Sequence, residues 1–359
     1  MITATINRIG TASPPNDIHA PFIALARTLL TDDRERIVFD RMAERAGIEH
    51  RYACLPAGNI AMGEVDRDGF YTLGAFPGTG ARMAVYQPQA LVLALRAIEA
   101  LDIADERTRI THLVVASCTG FTAPGLDFQL CECLGLRPDV ARTLVGFMGC
   151  SAAMPALRLA QQIVRSDPAA RVLVVNVELC SLHLQEAHDI ETALSFLLFG
   201  DGASAALVTA DPGGIALRDF RSAVIPDSQD LITWQIGDHG FRMYLSGKVP
   251  GRIAQALRQD RERANADGLL HGEGTQGVDV WAVHGGGRSV LDAVDAGLDL
   301  TSGTLRHSRA VLRDYGNMSS ATIMFVLARI LAEDRRNQRG FAMAFGPGMV
   351  AETFRFGVT

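Results

Sequence analysis

Ile110-Thr111-His112-Leu113-Val114-Val115-Ala116 is the stretch on which the fold turns. It is short, almost continuously apolar and rich in β-branched residues, the pattern of a strand covered on both faces. Two further runs read the same way: Arg171 to Val177 (RVLVVNV) and Val278 to Val283 (VDVWAV). Between them lie helical runs at Gln87–Leu101, with Pro88 acceptable in a first turn, at Ser151–Arg165 and at Met318–Ala332. Short buried strands alternating with helices predict an α/β fold.

The chain also echoes itself. Phe199-Gly200-Asp201-Gly202-Ala203-Ser204-Ala205 returns as Phe345-Gly346-Pro347-Gly348-Met349-Val350-Ala351, and each is followed by an alternating strand. A strand, a small-residue loop and a helix at 110–135 recur in the same order at 278–298. The two echoes predict two similar halves, 1–215 and 216–359, divided near the break Asp211-Pro212-Gly213-Gly214.

Composition removes several function classes. Of 359 residues, 48% are apolar and 21% charged, enough for a large core and too apolar for disorder. The net charge is −6, and no Lys/Arg-rich arm is present, which argues against a nucleic-acid partner. Lys248 is the sole lysine, and the residues before it lack the first glycine of a P-loop. No run reaches the roughly 18 apolar residues that span a bilayer, and Met1–Pro15 has no secretory pattern. A cytoplasmic chain is expected, with Cys54, Cys118, Cys131, Cys133, Cys150 and Cys180 as free thiols. Cys131 and Cys133 point apart on a helix and have no second ligand pair, so no metal site is expected. No G-x-S-x-G elbow or dinucleotide glycine motif occurs either.

Three positions carry chemistry. Val145-Gly146-Phe147-Met148-Gly149-Cys150-Ser151-Ala152-Ala153 runs from a strand through glycine into a helix of small residues. A cysteine there sits at the positive end of a helix dipole, which lowers its pKa; the plainer reading is a buried structural thiol. His284 leaves a strand end into Gly285-Gly286-Gly287, a place where backbone can approach a ligand. Asn317, in Tyr315-Gly316-Asn317-Met318-Ser319-Ser320, precedes a helix and by itself reads as an ordinary N-cap.

Cys, His and Asn in this order, with Cys118-Thr119-Gly120-Phe121-Thr122-Ala123-Pro124-Gly125, Leu198-Phe199-Gly200-Asp201-Gly202, Gly316-Asn317-Met318-Ser319-Ser320 and Phe345-Gly346-Pro347-Gly348, resemble the chalcone/stilbene synthase-like type III polyketide synthases from about Arg41 onward. The resemblance implies a thiolase-like, layered αβαβα fold of two similar halves and a homodimer. It implies an acyltransferase that loads an acyl-CoA starter on Cys150. Iterative decarboxylative condensation with malonyl-CoA would extend the starter, and cyclisation would give a pyrone, resorcinol or phloroglucinol-type product. No cofactor beyond the CoA substrates is implied. His284 and Asn317 would hold the malonyl thioester oxygen, and Phe199 would gate the cavity. Cys118, Cys180, His183, Trp234, Met243 and Ser319 would line the pocket. Arg41, Arg45, Gly286, Gly287 and Ser289 would contact CoA, while a third basic position falls on Val38. The pocket departs from plant members at Cys118, Trp234 and Met243, and Ala123 replaces a methionine that reaches into the partner subunit. A single-condensation enzyme of the 3-oxoacyl-ACP synthase III type, and a non-catalytic acyl-CoA-binding scaffold, are the alternatives.

Overall fold

The chain runs β1 (Thr5–Ala12), β2 (Asn16–Asp17), α1 (His19–Leu29), α2 (Asp33–Arg45), β3 (Tyr52–Ala53), α3 (Thr79–Leu101), β4 (His112–Ser117), α4 (Leu126–Leu134), β5 (Ala141–Gly146), α5 (Ala153–Ser166), β6 (Val172–Leu179), α6 (Ile190–Phe196) and β7 (Asp201–Thr209). After a turn at 210–214 follow β8 (Ile215–Val224), β9 (Ile232–Gly237), β10 (Gly240–Leu245), α7 (Val249–Arg263), β11 (Val280–Val283), α8 (Arg288–Leu298), α9 (Arg306–Tyr315), α10 (Ala321–Ala332), β12 (Gln338–Gly346) and β13 (Val350–Val358). This computed structural model describes residues 2–186, 188–263, 267–272, 274–333 and 337–359.

Nine strands form one sheet in the order β11-β12-β13-β8-β1-β7-β6-β4-β5. Its two flanks meet where β1 pairs β8, through Thr5 opposite Ala216 and Ile6 opposite Ile215. So short a seam lets the flanks face each other across a layer of helix. Val114 and Ala116 of β4, Val172 and Val174 of β6, Ala282 of β11 and Ala342 of β12 share one core with α5 and α10. The alternate residues face outward. Leu113, Val115, Leu173 and Val175 pack under α3 and α4. Trp281, Val283, Phe341 and Met343 pack under α7 and α8. Helix, sheet, helix, sheet, helix is therefore the order of layers, and it explains why the strands are apolar on both faces.

The central helices follow from composition. In α10, Ile323, Met324, Phe325, Val326, Leu327 and Ile330 are all buried, so the helix has no polar face and must lie inside. Each such side chain contributes about 1.5–3 kcal/mol relative to exposure. Three helix starts differ from expectation. The helix expected at 87–101 starts at Thr79, because Arg82 is buried and donates to the carbonyls of Pro77, Leu182 and Leu184. Pro88 thus lies inside α3, on its exposed side, where the carbonyl left unbonded one turn back can meet water. The helices expected from Ser151 and Met318 begin at Ala153 and Ala321, because the residues before them are spent on tight turns.

Candidate active site

Cys150 sits where β5 meets α5. Phe147 (φ 57°) and Gly149 (φ 61°) turn the chain, and Gly149–Ser151 form one 3₁₀ turn before the helix. A Cβ on Gly149 would lie 2.3 Å from Pro347 Cδ, and one on Gly346 would lie 2.4 Å from Ser151 Oγ. The Phe-Gly-Pro-Gly loop between β12 and β13 is thus pressed against the turn that holds the thiol, which only glycine permits.

His284 follows β11, its N–H donating to Met343 O at 2.9 Å. The side chain is 1% exposed, and neither Nδ1 nor Nε2 has a hydrogen-bond partner. Asn317 is fixed at both ends. Its Oδ1 accepts from Ser319 N at 2.8 Å, and its Nδ2 donates to Gly286 O at 3.2 Å, which decides the orientation of the amide. It is not an N-cap: that position of α10 belongs to Ser320. Both amide atoms lie 4.0 Å from Cys150 Sγ.

Burial dominates the electrostatics here. It pushes the Cys150 thiol up to about 11, against the pull of hydrogen bonds from Ser319 and Asn317, while the charge of Glu178 adds to the rise. Burial likewise pushes His284 down to about 4. The expectation that the helix terminus lowers the thiol is therefore corrected. Cys150 lies outside the first turn of α5, in the 3₁₀ turn before it, and lost hydration is the largest influence on the thiol. In the free protein Cys150 is a neutral thiol and His284 a neutral imidazole.

Glu178 was not singled out from the sequence. It is fully buried in β6 and accepts from Cys118 N (3.0 Å), Thr119 Oγ1 (2.9 Å) and Ser320 Oγ (2.6 Å). Burial raises it to about 7 despite those donors. The signal was a lone acid inside an otherwise apolar strand, RVLVVNVEL.

A cavity beside Cys150 is lined by Cys118, Cys180, Phe199, Trp234, Met243 and Ser319. Its volume is only about 20 Å³. Trp234 and Met243 face each other on the β9–β10 hairpin, and the Trp234 indole donates to Cys118 O at 2.8 Å. His183 does not line this cavity. It stacks on Phe241, accepts from Phe241 N at Nδ1 and donates from Nε2 to Thr119 O, and its ring meets the Trp234 ring edge-on. It is a support behind Trp234, held neutral by burial, which pushes it down to about 3.

A larger surface groove, of about 690 Å³, brings Arg45, Gly286, Gly287 and Ser289 together with Leu198 and Arg288. Arg41 is exposed and is not among the residues lining it. Arg288, which sequence reading passed over, donates to Arg45 O at 3.2 Å and joins that wall. Among the described residues no group of His, Cys, Asp and Glu is arranged to hold a metal, and no helix is long and apolar enough to cross a membrane.

The layered fold, shared with solved type III polyketide synthases, is that of a thiolase-like condensing enzyme. Residues 2–212 match the family described as "Chalcone and stilbene synthases, N-terminal domain", and residues 217–358 match its C-terminal domain. The chain belongs to the chalcone and stilbene synthase family and is a type III polyketide synthase. It is similar to a bisdemethoxycurcumin synthase of Oryza sativa subsp. japonica, 33% identical over 97% of this chain and 91% of that one. It is also similar to the alpha-pyrone synthesis polyketide synthase-like Pks18 of Mycobacterium tuberculosis, 33% identical over 77% of this chain and 73% of that one. Among solved structures, PKS-I of the brown alga Ectocarpus siliculosus superposes with a TM-score of 0.87 at 30% identity, covering 100% and 99% of the two chains. The 1,3,6,8-tetrahydroxynaphthalene synthase of Streptomyces coelicolor gives 0.86 at 28%, covering 99% of each.

Two outcomes follow from the electrostatics. Glu178 carries a raised pKa in the folded state, so its stability contribution is full below its ordinary 4.5 and is lost as pH rises through about 7. Relative to Glu178→Gln, wild-type stability should fall by on the order of 3 kcal/mol across that window and then level off. Paired thermal melts from pH 4.5 to 8 check this; parallel curves would exclude it. If His284 takes the thiol proton, His284→Gln should slow iodoacetamide alkylation of Cys150 at pH 7 by about 10²-fold. Peptide mass mapping reads that site separately from the exposed Cys133, and equal rates would mean the thiol ionises without the imidazole.

Proposed function

We propose that the enzyme loads an acyl-CoA starter on Cys150 and extends it with malonyl-CoA. The observation that carries this reading is the pair of unpartnered, buried nitrogens on His284, beside a carboxamide whose orientation is already fixed. Buried polar atoms are ordinarily paired, so the one N–H of the neutral ring is free to donate to an oxygen that arrives with substrate, and the other nitrogen is free to accept a proton. The thiol gives its proton to His284, and the sulfur attacks the acyl-CoA carbonyl. The CoA sulfur leaves, taking that proton. Malonyl-CoA then loses CO₂, and the electron pair left on carbon delocalises onto the thioester oxygen, where His284 and Asn317 Nδ2 donate to it. The resulting enolate carbon attacks the Cys150 thioester and expels the Cys150 sulfur. Repetition and ring closure would give a pyrone, resorcinol or phloroglucinol-type product.

In this reading residues 1–215 supply the nucleophile and 216–359 the oxyanion donors. Arg45, Arg288, Gly286, Gly287 and Ser289 would receive CoA, with Arg41 reaching the phosphates from solvent. Phe199, Cys118, Cys180, Trp234, Met243 and Ser319 would shape the chain. No cofactor beyond the CoA substrates is needed, since decarboxylation itself supplies the carbanion.

Asn317→Ala should lower malonyl-CoA decarboxylation about 10²–10³-fold while acyl loading on Cys150 persists. Cys150→Ala should abolish loading and every product. Labelled-acyl transfer and ¹⁴CO₂ release measure the two steps; normal decarboxylation in Asn317→Ala would return the residue to a purely structural role.

The reading also includes a homodimer. Within the sheet β5 is hydrogen-bonded to β4 alone, and Phe121, Phe128, Leu144 and Met148 are exposed around it. Light scattering at micromolar concentration should give twice the 38.6 kDa chain mass; a monomer would refute the assembly.

A further inference from the structure

Helix α2 runs beside the groove proposed to receive CoA, which Met42, Arg45 and Ala46 help to line. Phe39 and Ala43 bury the inner side of the helix in the core. The outer side carries Arg34, Ile37, Val38, Arg41, Met42 and Arg45, whose spacing of three and four places them on one face. All six are exposed, the three apolar ones at 52%, 45% and 46%. Neighbouring aliphatic side chains left in water and rimmed by charge have the make-up of a contact surface.

The charge on that face is unspent. Asp33 pairs with Arg36 and Asp40 with Arg27, away from it. Among the described residues no acid pairs with Arg34, Arg41 or Arg45. Arg288 adds another guanidinium through its bond to the Arg45 carbonyl. The sole lysine, Lys248, is exposed between Gly247 and Val249, which both line the groove. The acids at the groove are Glu191 and Asp292, and Asp292 is held by Arg309 at 2.7 Å. In a chain of net charge −6 this is a local excess of positive charge.

From Arg34 to Arg45 the face is about 16 Å long. The phosphates of a nucleotide can engage Arg45 and Arg41, but Arg34, Ile37 and Val38 lie beyond, and aliphatic side chains give a phosphate nothing. A protein helix with acids around apolar residues matches the whole face in charge and in length. A carrier protein presents the same pantetheine thioester that CoA does, so a groove that takes one arm takes the other. We propose that α2 docks an acidic carrier protein bearing the starter on a phosphopantetheine arm; this rests on the loading of acyl groups at Cys150 proposed above. The arm enters the groove and the Cys150 sulfur attacks the thioester carbonyl. The carbon–sulfur bond to the arm breaks, and the arm's sulfur leaves with the Cys150 proton.

Calorimetry on Cys150→Ala protein with the holo acyl carrier protein of fatty-acid synthesis tests docking without turnover. Saturable binding that weakens as salt rises is expected. Arg34→Glu and Ile37→Asp, both at exposed positions, should each weaken it about tenfold. Made in the wild-type enzyme, the same substitutions should leave acyl loading from CoA unchanged, since neither residue lines the groove. No binding, or binding untouched by both variants, overturns the proposal. So does a face that binds vesicles of phosphatidylglycerol and phosphatidylcholine, and loses them in Arg34→Glu, while the carrier protein stays unbound. The two readings fail separately. Carrier binding by an enzyme that makes no polyketide sinks the function and leaves the docking face. Polyketide formation from CoA thioesters without carrier binding sinks the docking face alone.

Discussion

Helix α10 has no polar face and has to be buried, α5 has a wide apolar face to cover, and the rest of the molecule is arranged around those requirements. α5 and α10 fill the space between the two flanks of the sheet. Their entry turns open onto the same small volume, so Cys150, just before α5, and Asn317, just before α10, come within 4.0 Å although 167 residues separate them. The third partner, His284, arrives at the end of β11. The Phe-Gly-Pro-Gly loop closes the arrangement by direct contact with the Cys150 turn, at a separation that excludes any Cβ on Gly149 or Gly346.

That burial sets the electrostatic state of the site. Glu178, Asp201, His284 and Cys150 all sit where water is excluded, and for each the charged form is the one disfavoured. In the proposed reaction, charge would appear only at the moment of reaction, in front of donors that are already in place. Preorganised donors in a dry site need no rearrangement to stabilise an enolate. Glu178 ties this region together: it holds the backbone at Cys118 and the hydroxyls of Thr119 and Ser320.

The cavity itself is shaped by a few large side chains held from behind. Trp234 is anchored by its N–H to Cys118 O and braced by His183 and Phe241. With that ring fixed, the space near the thiol is small.

Periodicity and composition were enough for the α/β class, because strands covered on both faces must be apolar throughout. The thiol, imidazole and carboxamide were recognisable from their motifs, each beside glycine. Boundaries were less legible: α3 begins eight residues early because Arg82 finds carbonyl partners on the segment 182–184, which no local pattern foretells. Glu178 was visible as a lone acid in an apolar strand, yet its three donors come from distant segments. His183 was placed in the pocket by position and lies behind it, since its ring is consumed by Phe241 and Thr119. The sequence by itself determined the alternation of apolar strands and helices, and with it the α/β class. Tertiary structure alone decided which faces meet, how much space is left at Cys150, and the neutral state of its thiol and imidazole, because volume and hydration depend on what packs against a residue and not on what precedes it.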